Sequence, residues 1–392
     1  MDFTPIVPVG SDKKISKELL DKAEELVMSS IALTGGHPIE TLNAVHEHLR
    51  TINSYYSNKI ESEGTRPNDT ERAMRKDFSK DKKKRTLQML SLAHIETQKR
   101  VERIAREDDF SAYDTKFICS VHNYLYSQEG MKDFLEIEGL EERMVPGLLR
   151  TRDVEVGDHI APELKELPSL MSKYQTLYKA GLHGYKANQL IYALASHHRL
   201  AYLHPFLDGN GRTSRLVLDG ALIGAGIEGY GLWNISRGLA RSGDAYKDML
   251  AHADMQRQGN YDGTGALSSN ALNEFVTYML TCAQDQADYM TKYLHLSSLS
   301  ERLTKYVELT QNGMFDLEPL PKNTERIFKE LLLKGEFKQR SEIAGVLGVS
   351  RRTATSVTME LIKREYLQSD GPKSPVRLKI NAHLAAYIFP EL

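Results

Sequence analysis

The run His204-Pro205-Phe206-Leu207-Asp208-Gly209-Asn210-Gly211-Arg212-Thr213-Ser214-Arg215 gathers an imidazole, a carboxylate, two glycines around an asparagine and two guanidiniums into 12 residues. Arg212 and Arg215 stand where a helix begins, three residues apart and so on one face. The N-terminal end of a helix is electropositive, so two arginines there repel it unless an anion lies between. Unpaired N–H groups at such an end already make a phosphate site, and forked guanidiniums add strong donors to phosphate oxygens. Asn210 has the residue type of an N-cap, and the flanking glycines let the backbone turn with its N–H groups inward. Asp208 would repel a bare phosphate; it fits if a divalent cation such as Mg²⁺ bridges the two. His204, one loop away, titrates near neutrality and has the chemistry to take a proton from an attacking hydroxyl.

Taken singly, a histidine at a helix end or a Gly-Asn-Gly turn is ordinary structure. The conjunction is not, because no structural need calls for all of these groups together. No G-x-x-x-x-G-K-[ST] run occurs in the chain, which excludes a P-loop as the phosphate cradle.

The elements that must position these groups read as helices. The chain has 392 residues, enough for two or three domains, with 51 Lys and Arg nearly balancing 53 Asp and Glu. Charge is uneven along it: residues 321 to 380 carry 13 basic against 7 acidic side chains, so the excess of base sits in one C-terminal unit. Cys119 and Cys282 lie far apart in apolar-periodic stretches, which predicts buried, reduced thiols. The N-terminus has no secretory pattern, and the most apolar run, residues 216 to 227, is too short to span a bilayer and contains Asp219. A cytoplasmic protein with no membrane partner is expected.

Residues 15 to 109 show apolar residues at three- and four-residue spacing, with the basic run 80 to 85 as a solvated helix entry or loop. The pattern continues from 114 to about 290 around one interruption, residues 146 to 162, whose Pro, Gly and β-prone Val154 and Val156 predict a short hairpin or extended loop. A helix with Leu190, Ile191, Leu194 and Ala195 on one side delivers His204 at its end, and Pro205 breaks it. The helix that follows looks largely buried, with Gly220 and Gly224 allowing close packing.

Residues 204 to 215 match every specified position of H-x-F-x-[DE]-G-N-G-R-x-x-R, and on that signature the sequence resembles the Fic family, roughly across 110 to 260 and more loosely toward the N-terminus. Fic proteins are mostly α-helical, and many transfer AMP from ATP to a protein hydroxyl. The resemblance implies a mainly α fold: a Fic, or Fido, helical core with a short β-hairpin flap. It implies an adenylyltransferase in which His204 is the general base toward a target Ser, Thr or Tyr. Asp208 would hold Mg²⁺ against the α- and β-phosphates. Gly209, Asn210 and Gly211 would form the anion hole, Arg212 and Arg215 would grip the outer phosphates, and Thr213 and Ser214 would belong to the same ATP site. Phe206 is expected to point into the core. Val156, Gly157, Asp158 and His159 resemble the family's flap, usually closer to V-G-G-H-I-P-P, which pairs with the target's main chain; Asp158 stands where Gly is usual. Tyr246 resembles a residue lining the adenine pocket, although Lys247 stands where a second tyrosine is often found. Asp254 falls near the place of a base-contacting Asn.

Fic proteins with an N-terminal regulatory helix carry [ST]-x-x-x-E-[GN], whose glutamate pairs with the second motif arginine. Ser57 and Glu61 have that spacing, one helical turn apart. Ser62 departs from the pattern, and Glu63-Gly64 satisfies its ending but places Lys at position 59. Glu61, preceded by Ile60, is the expected inhibitory residue over Glu63. Its carboxylate would replace a phosphate oxygen on Arg215; the same residue also suits positioning a water that removes AMP.

Residues 322 to 392 read as three helices, the first capped by Asn323 or Thr324 and the third by Ser350, then a two-stranded wing. They look like a winged helix-turn-helix, a module that binds DNA or protein. Arg351, Arg352, Thr353 and Thr355 would meet DNA from the third helix, with Lys373 and Arg377 on the wing near phosphates. The expected organisation is an N-terminal helical region at 1–110, a catalytic domain at 111–290, a helix and linker at 291–321 and the winged unit at 322–392. Open partners are a target protein (the chain itself included), DNA, and a second copy in a homodimer. Two further readings stay open: an ATP-sensing DNA-binding regulator, and a Fic enzyme that transfers a different phosphate-containing group.

Overall fold

The computed structural model describes residues 2–10, 12–137, 139, 142–156 and 159–392; Gly157 and Asp158 of the expected flap lie outside the described residues. The chain divides into two compact units, one of residues 1–31 and 53–286, the other of 32–52 and 287–392. Among the described residues no helix is long and apolar enough to cross a membrane.

The helices of the first unit follow the sequence periodicity. Helices α1 (Lys17–Ala32), α2 (Ile39–Ile60), α3 (Pro67–Met74), α4 (Lys82–Ile104) and α5 (Thr115–Tyr126) precede the interruption, and α2 divides its length between the two units. Asp81 caps α4 by accepting from the Lys84 N–H at 2.8 Å, which starts the helix inside the basic run and leaves Lys82 to Arg85 exposed. The interruption holds a two-residue antiparallel hairpin, β1 (Glu155–Val156) and β2 (His159–Ile160). Helices α6 (Leu167–Lys179), α7 (Lys186–Leu203), α8 (Asn210–Gly224), α9 (Ile235–Arg241), α10 (Ala245–Ala253) and α11 (Ser269–Leu294) follow, and α11 ends in the second unit.

The core is the pair α7 and α8. Both are buried nearly all round, as expected of helices enclosed by others, and α8 packs on α4, α5 and α7. Glycines make that possible: a Cβ on Gly220 would lie 3.1 Å from the Phe117 ring, and one on Gly224 would run into Phe110 at 2.7 Å. The N-terminal segment, which has no periodicity to announce it, is tied to this core through its carbonyls. Pro5 accepts from Arg199 Nε at 3.1 Å, Ile6 from the Tyr178 hydroxyl at 2.7 Å, and Phe3 is fully buried.

The second unit contains α12 (Leu296–Gln311), α13 (Thr324–Lys334), β3 (Glu336–Phe337), α14 (Arg340–Leu347), α15 (Arg351–Lys363), β4 (Leu367–Gln368), β5 (Val376–Leu378) and α16 (Ala382–Ile388). Its strands form an antiparallel sheet in the order β3-β5-β4, so the two wing strands gain a third from the turn after α13. Gly348 ends α14 at φ +66°, and Ser350 caps α15 by accepting from Thr353 N at 3.2 Å. Neither expected cap of α13 acts as one: Asn323 sits at φ +65° with no capping bond, and the Thr324 hydroxyl donates to Pro321 O instead. Arg351, Arg352, Thr353 and Thr355 are exposed at the start of α15. Arg377 is not available as expected, because Glu336 at 3.0 Å and Asp370 at 3.7 Å already take its guanidinium. Both cysteines are free but only half-buried.

One buried polar cluster of the first unit carries a titration. Asp219, one turn beyond Arg215 on α8, accepts from the Tyr230 hydroxyl and from Asn53 Nδ2 of α2 at 3.1 Å; Asn53 also donates to Gln98. Burial, opposed by these hydrogen bonds, raises the Asp219 carboxyl to about 7. The folded form therefore retains its proton where the unfolded chain has lost it, and stability falls as pH rises from about 4 to 7. Urea titrations should show this loss, on the order of 4 kcal/mol across that window, and Asp219→Asn should flatten it.

Candidate functional site

The loop between α7 and α8 holds His204 in the left-handed region, at φ 45° and ψ 63°, as the residue that ends α7. A non-glycine residue there costs about 1 kcal/mol or more, so neighbours must impose it. Arg150 does so from the base of the hairpin: its Nε donates to His204 O at 3.0 Å and its N–H to Pro205 O at 2.8 Å. Asn210 is not the N-cap. Gly209 takes that position at φ +74°, where a Cβ would collide with the Tyr126 ring at 2.4 Å. Asn210 instead clamps the loop, accepting from Phe206 N at 2.9 Å and donating to Phe206 O at 2.8 Å. Phe206 is fully buried and stacks on His122 with ring centres 4.0 Å apart.

Both arginines are buried against the end of α2. Arg215 donates from Nε to Ser57 Oγ at 3.0 Å, and from one terminal nitrogen to Ser57 O at 2.9 Å and Glu61 Oε1 at 2.7 Å. Arg212 donates to Asn58 Oδ1 at 3.1 Å, to the Tyr126 hydroxyl at 2.9 Å and to the Glu63 carboxylate. The sequence poses Glu61 and Glu63 as alternatives; in the structure each takes one arginine. What permits this is Ser62, which lies at φ +63° just past the helix, in the conformation that Gly or Asn adopts more readily. Glu61 Oε1 reaches the start of α8 so closely that a Cβ on Gly211 would sit 2.2 Å from it. Burial opposes the Glu61 charge, yet Arg215 and then Arg212 hold its carboxyl below the usual range.

Beside this contact lies a cavity of about 550 Å³, within the range of small-molecule sites, bordered by Glu61, His159, His204, Gly211, Arg215 and Tyr246. Ser214 and Asn210 also line it, whereas Thr213 is buried and its hydroxyl has no hydrogen-bond partner among the described residues. The Tyr246 hydroxyl is 2.6 Å from His197 Nε2. Lys247 lines the wall as well. Burial first, then the positive charges of His159 and Arg150, push His204 down to about 4. The imidazole is thus neutral at pH 7 and able to accept a proton.

Asp208 is exposed, and among the described residues only its Oδ1 takes a hydrogen bond, from Gly209 N at 2.6 Å. Its carboxyl is raised, by burial of its inner side and by the Glu61 charge, which marks a site short of positive charge. No cluster of three His, Cys, Asp or Glu among the described residues could hold a metal by itself. The donor set therefore fits a divalent cation held by Asp208 together with phosphate oxygens and water.

Residues 112–222 match the Fic/DOC family model, a span that includes the whole of the loop and the start of α8. This part of the chain is a Fic domain. Curated relatives named protein adenylyltransferase Fic, from Drosophila ananassae and Culex quinquefasciatus, are 35% and 38% identical to it over 100 residues. Those matches cover 24% of this chain and 20% of each relative, so the chain matches about a fifth of the relatives' length. A Fic family protein from Desulfovibrio desulfuricans G20 has a similar fold, with a TM-score of 0.53 at 17% identity over 93% of this chain and 97% of that one. Fic-1 from C. elegans reaches a TM-score of 0.51 at 15% identity, over 70% and 72% of the two chains.

Sequence reasoning missed the supports of the Fic domain's loop. His122, whose Nε2 is 3.2 Å from Asp208 O, Tyr126 beneath Arg212 and Arg150 beneath His204 carry no local pattern. Observed by imidazole NMR, His204 should stay neutral to near pH 4 rather than protonating around 6.5 as an exposed histidine does.

Proposed function

We propose that the chain is a protein adenylyltransferase restrained by its own second helix. One observation carries the reading: a carboxylate, Glu61, lies at the positive start of α8 on Arg215, next to a neutral histidine and an open cavity. That is the place and charge of a nucleotide phosphate. With ATP bound, His204 takes the proton of a protein hydroxyl, whose oxygen attacks the α-phosphorus. The new oxygen–phosphorus bond forms as the bond to the bridging oxygen breaks, and pyrophosphate leaves. Arg212, Arg215 and the N–H groups of α8 face the phosphate charge that grows in this step. Mg²⁺, held by Asp208, would neutralise phosphate charge and orient the leaving group. The hairpin would seat the target's main chain, and Tyr246 would border the adenine.

The brake follows from competition. Glu61 and Glu63 occupy the donors that phosphates need, so nucleotide must displace two buried ion pairs. Each carboxylate is exchanged for a phosphate rather than simply removed, so Glu61 and Glu63 compete with nucleotide for the same arginine donors and lower its apparent affinity. For the second unit, the three helices, the β-hairpin and the exposed Arg351 and Arg352 support a winged helix that contacts nucleic acid.

Incubated with Mg²⁺ and α-labelled ATP, the Glu61→Gly protein should incorporate at least about tenfold more label than the parent, given the energy per decade of binding. Adding His204→Ala should abolish it. No label from Glu61→Gly on itself or on any supplied protein, with ATP still bound, would favour an ATP-sensing role. In the Glu61→Gly protein, Glu63→Gln should tighten ATP binding again, by roughly tenfold in calorimetry, because Arg212 is then released.

A further inference from the structure

We infer that Asp254 keeps the hairpin histidine His159 doubly protonated, and so fixes both the seat of β2 and the charge beside His204. His159 Nε2 is 3.0 Å from the Tyr202 carbonyl, an acceptor only, so that nitrogen carries hydrogen. His159 Nδ1 is 2.8 Å from Asp254 Oδ2. The other Asp254 oxygen is 3.1 Å from His198 Nε2. His198 has its proton on that nitrogen, because its Nδ1 receives Arg199 at 2.8 Å and arginine can only donate. Its Nε2–H also points at Leu250 O, 3.0 Å away. Asp254 is therefore a carboxylate between two N–H donors, and its pKa is brought down to about 2 against the effect of burial. With Asp254 ionised and Nδ1 facing it, both nitrogens of His159 bear hydrogen, and the ring is an imidazolium; its pKa is raised although burial opposes the charge.

An asparagine cannot do this. It offers one acceptor oxygen and one donor nitrogen, so one of the two histidines would face a donor. An asparagine would leave His159 neutral, with Nδ1 accepting from the amide, so the carboxylate is what the doubly protonated state of His159 requires; both histidines line the wall of the same cavity.

Two consequences follow from position. Asp254 ends α10 and Tyr202 lies on α7, so the ion pair and the carbonyl bond pin the first residue of β2 to two helices. The His159 ring centre lies 6.3 Å from that of His204, and its charge helps keep the His204 imidazole unprotonated. Among the described residues, the ionisable groups around the pair are His204, His198, Arg199 and Tyr202 from α7 and its end, Lys247 and Asp248 from α10, Arg150 from the hairpin base, and Glu61 and Arg215 across the cavity. Asp254 is a positioning residue; it acts through His159.

The protonation state stands by itself, whereas its effect on target binding rests on the transferase reading. The test is imidazole NMR on the full chain with Asp254→Asn, and with His159→Gln as an independent way to remove the same charge. The His159 midpoint should fall in Asp254→Asn, and the His204 midpoint should rise in both variants. In the Glu61→Gly background, both should move the acidic limb of the labelling rate to higher pH and raise KM for the target protein more than they lower kcat. Asp254→Glu should restore the parent midpoints. Unchanged His159 and His204 midpoints in the folded variants would overturn the inference, as would a pH-independent fall in kcat alone. If Glu61→Gly labels nothing at any pH, the transferase reading fails while the two midpoints still decide the ion pair.

Discussion

Two guanidiniums buried at the electropositive start of a helix are the constraint around which the first unit is organised. Arg212 and Arg215 repel the end of α8 and each other, and neither can be left unpaired away from water. An anion must be present in every folded state. In this state the end of α2 supplies it, and the demand dictates details well beyond the two carboxylates. Ser57 and Asn58 turn inward to fill the remaining guanidinium donors. Ser62 accepts a left-handed conformation so that Glu63 reaches Arg212 only two residues after Glu61 reaches Arg215. Gly211 has to lack a side chain, because Glu61 fills that space.

The same demand shapes how α2 meets α8. Asn53, Ser57 and Glu61 recur every fourth residue, on one face, and each bonds a side chain of α8: Asp219 for the first, Arg215 for the other two. The contact is specific because the guanidinium and amide donors meet acceptors at fixed positions along one face of α2. It is also exchangeable. Hydrogen bonds to charged groups can be replaced by those of a phosphate with little net loss, whereas an apolar seam would have to be exposed to water. A polar, charge-matched seam suits the displacement of α2 proposed for a bound nucleotide.

His204 has the opposite problem. It must stay neutral beside the charges of His159 and Arg150, and it must present its ring from a sharp turn. Burial and the surrounding cations solve the first. The second is solved by backbone clamps: Arg150 on the His204 carbonyl, Asn210 on both polar groups of Phe206, and His122 against the Phe206 ring. The loop's shape thus depends on side chains that come from α5 and the hairpin base as much as on its own residues.

Much of this was written locally in the chain. Helix periodicity placed the long helices, and Gly220 and Gly224 marked α8 as a close-packed helix. The 12 residues from His204 to Arg215 named the anion site, because those groups have no purpose together without an anion. The serine and glutamate one turn apart, expected from the family resemblance to meet Arg215, both bond it. Local signals also misled. Asn210 has the type of a cap but spends its amide on the loop, and Arg377 has the type of a phosphate ligand but is claimed by Glu336 and Asp370. Which glutamate met which arginine, the buried course of residues 2 to 9, and the imidazolium state of His159 were decided only by the tertiary structure. The physical reason is range. Helix patterns and caps arise between residues a few positions apart, whereas an ion pair or a protonation state is set by whichever distant groups the fold brings within about 3–4 Å.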